Sequence, residues 1–379
     1  MSSRATPGQV QTVLGPVAPS DLGFTLPHEH TKCSLWWIEN RWDYWELIGD
    51  EPRINEELAA YKALGGGTLV DVTPIGIGRD LTRLARLSQA TGLHIVAGAG
   101  WYRQAYYPAE ARIDRRSIDD LADEIVQEFV DGPVRPGIIG EIGTDKPWVT
   151  AQEERVFRAA ARAALRTGAS VTTHAVQSDV GLAQLTILED EGLDPARIVI
   201  GHCDSHPRIE HWREIVRRGA HVEADFLGMS FTPLERAGEP KVVELISTLL
   251  NEGFEKQILL SQDVCHDSQL ASYGGNGYTY LQKSFLPRLV EAGVNATTIK
   301  TITDSYQSGV IDSGLITQID ALIGDQARAL LSTGLAEDLK SLTTALQDTN
   351  SATSAQSEIQ AITDSITQRC NDAGVSGIG

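Results

Sequence analysis

Two histidines lie one residue apart near the start of the chain, in the stretch GFTLPHEHTKC that spans residues 23–33. His28 and His30 flank Glu29, although the whole sequence of 379 residues contains only nine histidines. Imidazole nitrogens bind transition metals and move protons near neutral pH. Two surface loop residues, or a buried and hydrogen-bonded histidine, are also compatible with a His-x-His pair. The pair therefore indicates a metal site only if other parts of the chain supply further ligands.

Four more residues whose side chains can bind a metal each lie in a short β-rich run. These are Glu141 in GIIGEIG (137–143), His174 in SVTTHA (170–175), His202 in RIVIGHCD (197–204) and Asp263 at the end of QILLSQD (257–263). Each has a structural alternative, since a histidine can cap a strand or occupy a turn, and an aspartate can cap a helix. A glutamate inside an apolar strand is harder to explain in this way, because a buried carboxylate needs a partner. Together, four histidines and two carboxylates favour a metal site.

The predicted secondary-structure elements that position these residues alternate regularly between strand and helix. Eight β-rich runs are found, at 23–28, 68–73, 94–100, 137–143, 170–175, 197–204, 220–226 and 257–263. Helical patterns are predicted between them, among others at 117–130, 151–167, 179–192, 208–218 and 239–252. Alternating strands and helices predict a parallel sheet, and eight such units match an α/β fold of the (β/α)₈ TIM barrel type. An open doubly wound sheet is less favoured, because no glycine-rich phosphate loop follows the first strand.

A barrel would bring the candidate ligands together at one end. Active sites in this fold lie at the C-terminal ends of the strands, where these residues are found. Side chains two apart on a strand face the same way, so His28 and His30 can both face the barrel mouth, with Glu29 turned away. Six ligands suit two metal ions better than one tetrahedral zinc, and a central carboxylate such as Glu141 could bridge them. Two divalent ions are expected, with Zn²⁺ first and manganese, cobalt or iron as alternatives.

An ordered set of motifs resembles the phosphotriesterase-like family of the amidohydrolase superfamily over roughly residues 8–303. The motifs are QTVLGPVAPSDLGFTLPHEH, IIGEIGT, TGASVTTH, IGHCD, ILLSQD and GGNGYTYLQKSFLPRL. The resemblance implies that one buried metal is bound by His28, His30 and Asp263. It also implies that His174 and His202 bind a more exposed metal and that the residue on the fourth strand bridges the two ions.

The bridging position departs from part of that family. The members that degrade organophosphates or acyl-homoserine lactones carry a carboxylated lysine there, whereas this chain has Glu141. The resemblance is therefore closer to the glutamate-bridged phosphotriesterase homology protein group, whose animal relatives include an amidase for N-acyl amino-sulfonates. It implies a hydrolase in which a metal-bridging hydroxide attacks a carboxyl ester, lactone or amide, and Asp263 takes its proton. The alternatives are a phosphotriester hydrolase and a metal-retaining binding protein without turnover.

Residues near the expected barrel mouth are candidates for contact with a small-molecule substrate. Trp101, Tyr102 and Arg103 follow the third strand, and Arg103 could bind a carboxylate or sulfonate. Asp225 closes the seventh strand and could contact substrate or be structural. Four tryptophans cluster in the loop after His30, namely Trp36, Trp37, Trp42 and Trp45. They would form either an aromatic wall of the substrate site or part of a homodimer interface, and a homodimer is expected.

The chain is predicted to divide into a TIM barrel at residues 1–305, opened by a β-hairpin, and a helical C-terminal extension at 306–379. The extension contains Leu335, Leu339, Leu342 and Leu346 at heptad-like spacing. It could pack on the barrel, pair with another subunit or be partly disordered, and its role is not indicated by the resemblance.

Composition restricts the partners. A net charge of -19 argues against nucleic acid and against anionic membrane surfaces. No apolar run is long enough to span a bilayer, and MSSRATPGQV lacks the apolar segment of a signal peptide. The four cysteines lie far apart and form no C-x-x-C pair. This pattern favours a reducing compartment, and a cytoplasmic protein is expected.

Overall fold

The structure, a computed structural model, describes residues 9–35, 46–47, 50–229 and 238–305. These residues all belong to one unit of the chain, which spans Met1–Ile319. The four clustered tryptophans and the predicted helical extension lie outside the described residues. The division into two parts at residue 305 therefore stays a prediction.

The described residues form twelve strands, and eight of them build one parallel sheet. In chain order the strands are β1 (Val10–Thr12), β2 (Gly15–Val17), β3 (Phe24–Glu29), β4 (Cys33–Ser34), β5 (Glu46–Leu47), β6 (Gly66–Asp71), β7 (His94–Ala99), β8 (Ile138–Gly143), β9 (Val171–His174), β10 (Ile198–Ile200), β11 (His221–Ala224) and β12 (Ile258–Leu260). The large sheet runs β3-β6-β7-β8-β9-β10-β11-β12. Its two outer strands approach each other, since the Asp263 nitrogen donates to the His28 carbonyl at 3.2 Å and the His30 nitrogen donates to the Val264 carbonyl at 3.2 Å. The predicted (β/α)₈ TIM barrel is confirmed.

Helices surround these strands. They are α1 (Glu51–Ala63), α2 (Leu81–Thr91), α3 (Ile118–Val130), α4 (Ala151–Thr167), α5 (Val180–Asp190), α6 (Ile209–Arg217), α7 (Gly238–Asn251), α8 (Leu286–Glu291) and α9 (Ala296–Ser305). Local sequence explains several boundaries. Capping boxes begin α3 at Ser117 and α4 at Thr150, and α4 ends at Gly168 in the left-handed conformation. The five helices predicted from sequence are confirmed to within two residues at each end.

The predicted N-terminal hairpin is formed by β1 and β2, which pair antiparallel. It connects to the barrel through the Val13 nitrogen, which donates to the Ile95 carbonyl at 2.9 Å. Buried apolar side chains of this segment and of the strands form one cluster, which consists of Val10, Leu22, Val70, Val72, Val96, Ile138, Val199 and Leu259. Burial of this apolar surface stabilises the barrel and holds its strands, and hence the strand ends, in place.

Two glycines allow the strands that carry candidate ligands to approach their neighbours. A Cβ on Gly98 would lie 2.0 Å from the Gly140 carbonyl oxygen, next to Glu141. A Cβ on Gly201 would lie 2.2 Å from the Thr173 oxygen, next to His202. Any larger residue at either position would push apart strands that position the candidate site.

No helix among the described residues combines the length and the apolar character needed to cross a bilayer.

Candidate metal centre

Glu141 lies at the centre of four imidazoles. Its Oε2 is 3.0 Å from Nδ1 of His174, 3.2 Å from Nε2 of His202 and 3.5 Å from Nε2 of His28. Its Oε1 is 3.5 Å from Nε2 of His30. These residues come from four strands or strand ends, so the barrel brings together side chains that lie far apart in the sequence.

Asp263 completes the cluster, with Oδ1 3.2 Å from Nε2 of His30. Among the described residues, four sets of three side chains offer nitrogen and oxygen atoms close enough to hold an ion, namely His28–His202–Asp263, His28–His30–Glu141, Glu141–His174–His202 and His28–Glu223–Asp225. Asp263 and His202 have φ angles of 44° and 56°, a region that costs non-glycine residues energy. Such strain persists where the surroundings enforce it, and it is often found at functional sites.

The cluster is shielded from solvent. His174 is its most exposed member at 7%, and all six residues are buried. Burial alone raises the pKa of Glu141, but its interactions with His174 and the hydrogen bonds from the surrounding imidazoles bring that pKa well below its usual value. Burial, together with the charge of His202, lowers the pKa of His174 to about 4. Ionised Glu141 and neutral His174 are the forms that bind metals. Burial alone lowers the pKa of His30 and of His202, but neighbouring carboxylates raise these values to about 9 and about 10, so a metal ion would displace protons from these two imidazoles.

The ring nitrogens and carboxylate oxygens of the cluster are suited to bind a divalent transition metal. Nε2 of His28 is buried, faces Glu141 and has no hydrogen-bond partner among the described residues. The other nitrogen of the same ring, Nδ1, lies 2.9 Å from Oε2 of Glu223. His30 is held likewise, with Nδ1 2.8 Å from the Thr73 hydroxyl. Both imidazoles thus have one nitrogen fixed from behind and the other directed at a carboxylate-rich centre, as metal ligands do.

Three buried carboxylates support the cluster and were missed as functional residues from sequence. Oε1 of Glu29 accepts hydrogen bonds from the Ser261 hydroxyl at 2.8 Å and the Gln262 nitrogen at 2.9 Å, and its Oε2 accepts one from the Val264 nitrogen at 2.8 Å. Burial raises the pKa of Glu29 to about 7. Glu29 faces away from the cluster, as the alternation of the strand predicted, and holds the chain on either side of Asp263.

Asp71 and Glu223 are the other two buried carboxylates that support the cluster. Asp71 accepts from the Thr31 nitrogen at 2.8 Å and the Thr73 nitrogen at 3.1 Å, and thereby places the threonine that contacts His30. A carboxylate inside an apolar strand is the signal that selected Glu141. The same signal is present for Asp71 in TLVDVT and for Glu223 in AHVEADF.

The four candidate substrate contacts lie at different distances from the cluster. The Tyr102 hydroxyl is 3.2 Å from Nδ1 of His174. The Arg103 guanidinium lies over the Tyr102 ring at 4.6 Å, and its Nη1 is 3.7 Å from Oδ1 of Asp145. Trp101 is fully buried, and Asp225 accepts from both the backbone nitrogen and the ring of His202, at 3.0 and 2.9 Å. Contact of these four residues with substrate stays a prediction.

Comparison with known proteins finds relatives that cover most of this chain. The N-acetyltaurine hydrolase of Tetraodon nigroviridis is 32% identical over 335 residues, which cover 78% of this chain and 95% of that protein. The phosphotriesterase homology protein of Escherichia coli (strain K12) is 33% identical over 276 residues, which cover 72% of this chain and 91% of that protein. A crystal structure of the phosphotriesterase homology protein from Escherichia coli, complexed with phosphate in its active site, matches with a TM-score of 0.71 at 30% identity, over 76% of this chain and 99% of the other.

Both relatives and the solved structure share more than 90% of their own length with this chain. A model of the phosphotriesterase family matches residues 8–306, which include all six candidate ligands. The chain belongs to the phosphotriesterase family.

Proposed function

We propose that this protein is a binuclear-metal-dependent hydrolase that attacks the carbonyl group of a small carboxyl ester, lactone or amide. The observation that carries the proposal is the position of Glu141, whose Oε2 lies 3.0–3.5 Å from imidazole nitrogens of three other strands while Oε1 faces a fourth imidazole. A carboxylate with imidazoles on both sides is suited to bridge two ions.

The proposed ligands form two groups that share Glu141. His28, His30 and Asp263 would hold one ion, and His174 and His202 the other. Imidazole with carboxylate favours zinc first, with manganese, cobalt and iron as alternatives. When bound, two such ions would acidify a shared water and polarise the scissile carbonyl of the substrate.

Side chains of the protein supply the remaining steps. Burial alone raises the pKa of Asp263, but the hydrogen bond with His30 and the charges of nearby histidines lower it overall, so its carboxylate is ionised. Asp263 is therefore suited to take a proton from the attacking water and to deliver it to the leaving group. Glu29 holds the loop that carries Asp263 through its two backbone hydrogen bonds.

Amides are favoured among the possible substrates, because several relatives at 30–32% identity are N-acetyltaurine hydrolases. Tyr102 lies beside His174 and is proposed to contact the substrate there. Arg103 adjoins Tyr102 and is proposed to attract a carboxylate or sulfonate on the substrate. Trp101 and Asp225 are also proposed to contact the substrate.

The expected cellular setting is part of the proposal. The three described cysteines, Cys33, Cys203 and Cys265, are buried and unpaired, which supports a reducing compartment such as the cytoplasm. A homodimer is proposed, and sedimentation velocity would test it: a sedimentation coefficient that corresponds to the 41.1 kDa chain alone would contradict it.

Elemental analysis and a substrate screen test the function. Protein purified without chelator should contain close to two transition-metal ions per chain and should hydrolyse an amide, ester or lactone from a panel that includes N-acyl amino acids and N-acyl taurine. A folded protein with one ion or none would contradict the binuclear centre. Turnover of a phosphotriester alone would favour the phosphotriester alternative, and two ions without any turnover would favour a binding protein.

A further inference from the structure

A second carboxylate lies on the strand that ends at the metal centre. Glu223 belongs to β11, and alternation along the strand places Glu223 and Asp225 on the same face. Glu223 is fully buried, with an exposure of 0%. Its Oε2 is 2.9 Å from Nδ1 of His28. A buried carboxylate of this kind needs a reason to be retained, because its desolvation costs free energy.

Glu223 on β11 and Asp225, the residue that follows β11, contact different imidazoles. Oδ1 of Asp225 lies 2.9 Å from Nδ1 of His202, and its Oδ2 accepts from the His202 backbone nitrogen at 3.0 Å. Asp225 is also 3.2 Å from Nδ1 of His28, which is farther than Glu223. Among the described residues, Oε1 of Glu223 has no hydrogen-bond partner. Glu223 is thus held through His28, whereas Asp225 is held mainly through His202.

The contact decides which nitrogen of His28 can bind a metal. A neutral imidazole carries one N–H and one lone pair. If Nδ1 donates to Glu223, the lone pair is on Nε2, which faces Glu141 at 3.5 Å. The ring is also fixed in orientation, because the Nδ1 contact joins it to β11, which is separated from β8 in the sheet by β9 and β10.

We propose that Glu223 is a positioning residue that fixes the tautomer and ring orientation of His28 for metal binding. The inference rests on the proposed function, because it requires the cluster to bind divalent metal. It adds a residue outside the six ligands, which acts through His28 and does not touch the ion.

Two variants separate the charge of Glu223 from its ability to accept a hydrogen bond. Glu223→Gln keeps an acceptor oxygen and loses the charge, whereas Glu223→Leu loses both. Zinc affinity, measured by competition with a chelator, should fall several-fold for Glu223→Gln and about 10- to 100-fold for Glu223→Leu. The visible spectrum of the cobalt-substituted protein should change in Glu223→Leu and return toward the wild-type spectrum in Glu223→Gln.

Glu57→Gln is the matched control. Glu57 is a buried carboxylate that accepts from the Ser272 nitrogen at 2.8 Å, and it forms no hydrogen bond with an imidazole of the described residues. Its variant should keep wild-type zinc affinity and the wild-type cobalt spectrum.

Unchanged affinity and spectrum in Glu223→Leu, with two ions bound to the wild type, would overturn the role of Glu223 alone. If the wild type binds a third ion that Glu223→Leu does not bind, Glu223 is itself a ligand and the proposal is overturned. A wild type that binds no metal would overturn both this inference and the proposed function.

Discussion

Glu141 contacts all four histidines of the cluster, and its charge would oppose the repulsion between the two proposed dications. Glu141→Gln keeps the size of the side chain and removes that charge. We expect zinc affinity to fall by about 10-fold or more and hydrolysis to fall with it. Metal content after dialysis against a weak chelator, together with the rate of turnover, measures both effects. A variant that keeps two ions and near-native activity would make Glu141 a structural carboxylate.

Asp263 should respond differently from Glu141, because its proposed task includes proton transfer. Asp263→Asn keeps an oxygen that can still face Nε2 of His30, so it should retain more metal than Glu141→Gln. It should lose most turnover, on the order of 100-fold or more, since the amide cannot accept the proton. Metal content and the hydrolysis rate are compared in the same preparations. An Asp263→Asn variant with full metal and full activity would remove this residue from the mechanism.

At the scale of elements, Glu29 joins β3 to the segment that follows β12. Glu29→Ala would leave the backbone nitrogens of Gln262 and Val264 without their acceptor, at a cost on the order of 3 kcal/mol in the free energy of unfolding. Urea unfolding of the metal-free protein measures this, because loss of a bound ion then does not contribute. Glu56→Ala, an exposed change on α1, is the control and should have little effect. Equal stability of Glu29→Ala and wild type would contradict the role of Glu29.

The eight barrel strands and five of the helices were predictable because each of them repeats a local pattern. Strand runs, helical periodicity and the six candidate ligands follow from residue type and spacing, since the (β/α)₈ fold places all strand ends at one face. The contacts of Glu223 with His28 and of Asp71 with Thr31 are not local, because they join residues that are 195 and 40 positions apart in the sequence. Which carboxylate pairs with which imidazole depends on the register and twist of the closed sheet, and no local pattern specifies these.

For the whole molecule, the role of residues 306–379 is predicted from sequence alone. Truncation after residue 305 should leave the metal content unchanged, because the six candidate ligands lie between residues 28 and 263. We expect the change to alter solubility or association state, since the regularly spaced leucines of that segment favour burial against another surface. Sedimentation velocity of both forms measures this. Equal association, stability and activity would show that the segment is dispensable.

The response of the fold to acid should depend on a histidine outside the metal centre. His211 on α6 is 5% exposed, and neither of its ring nitrogens has a hydrogen-bond partner among the described residues. Burial, and then the charge of His206, lowers the pKa of His211 to about 4, although Asp179 acts in the opposite direction. The folded protein therefore keeps His211 neutral over a pH range in which the unfolded chain already protonates it.

The direction in which folding stability changes with pH follows from this difference between the pKa of His211 in the folded and unfolded states. Between pH 6.5 and 4 the unfolded state binds the proton and the folded state does not, so stability falls as the pH is lowered through this window. His211→Leu removes the titration and should therefore lose less stability than wild type, by about 2 kcal/mol, when urea unfolding at pH 4.5 is compared with pH 7.5. Protonation of the metal ligands is common to both proteins and cancels in the comparison. His94→Leu, at a less buried histidine, is the control and should show a smaller difference. Parallel loss of stability in wild type and His211→Leu would mean that His211 is accessible to protons in the folded state.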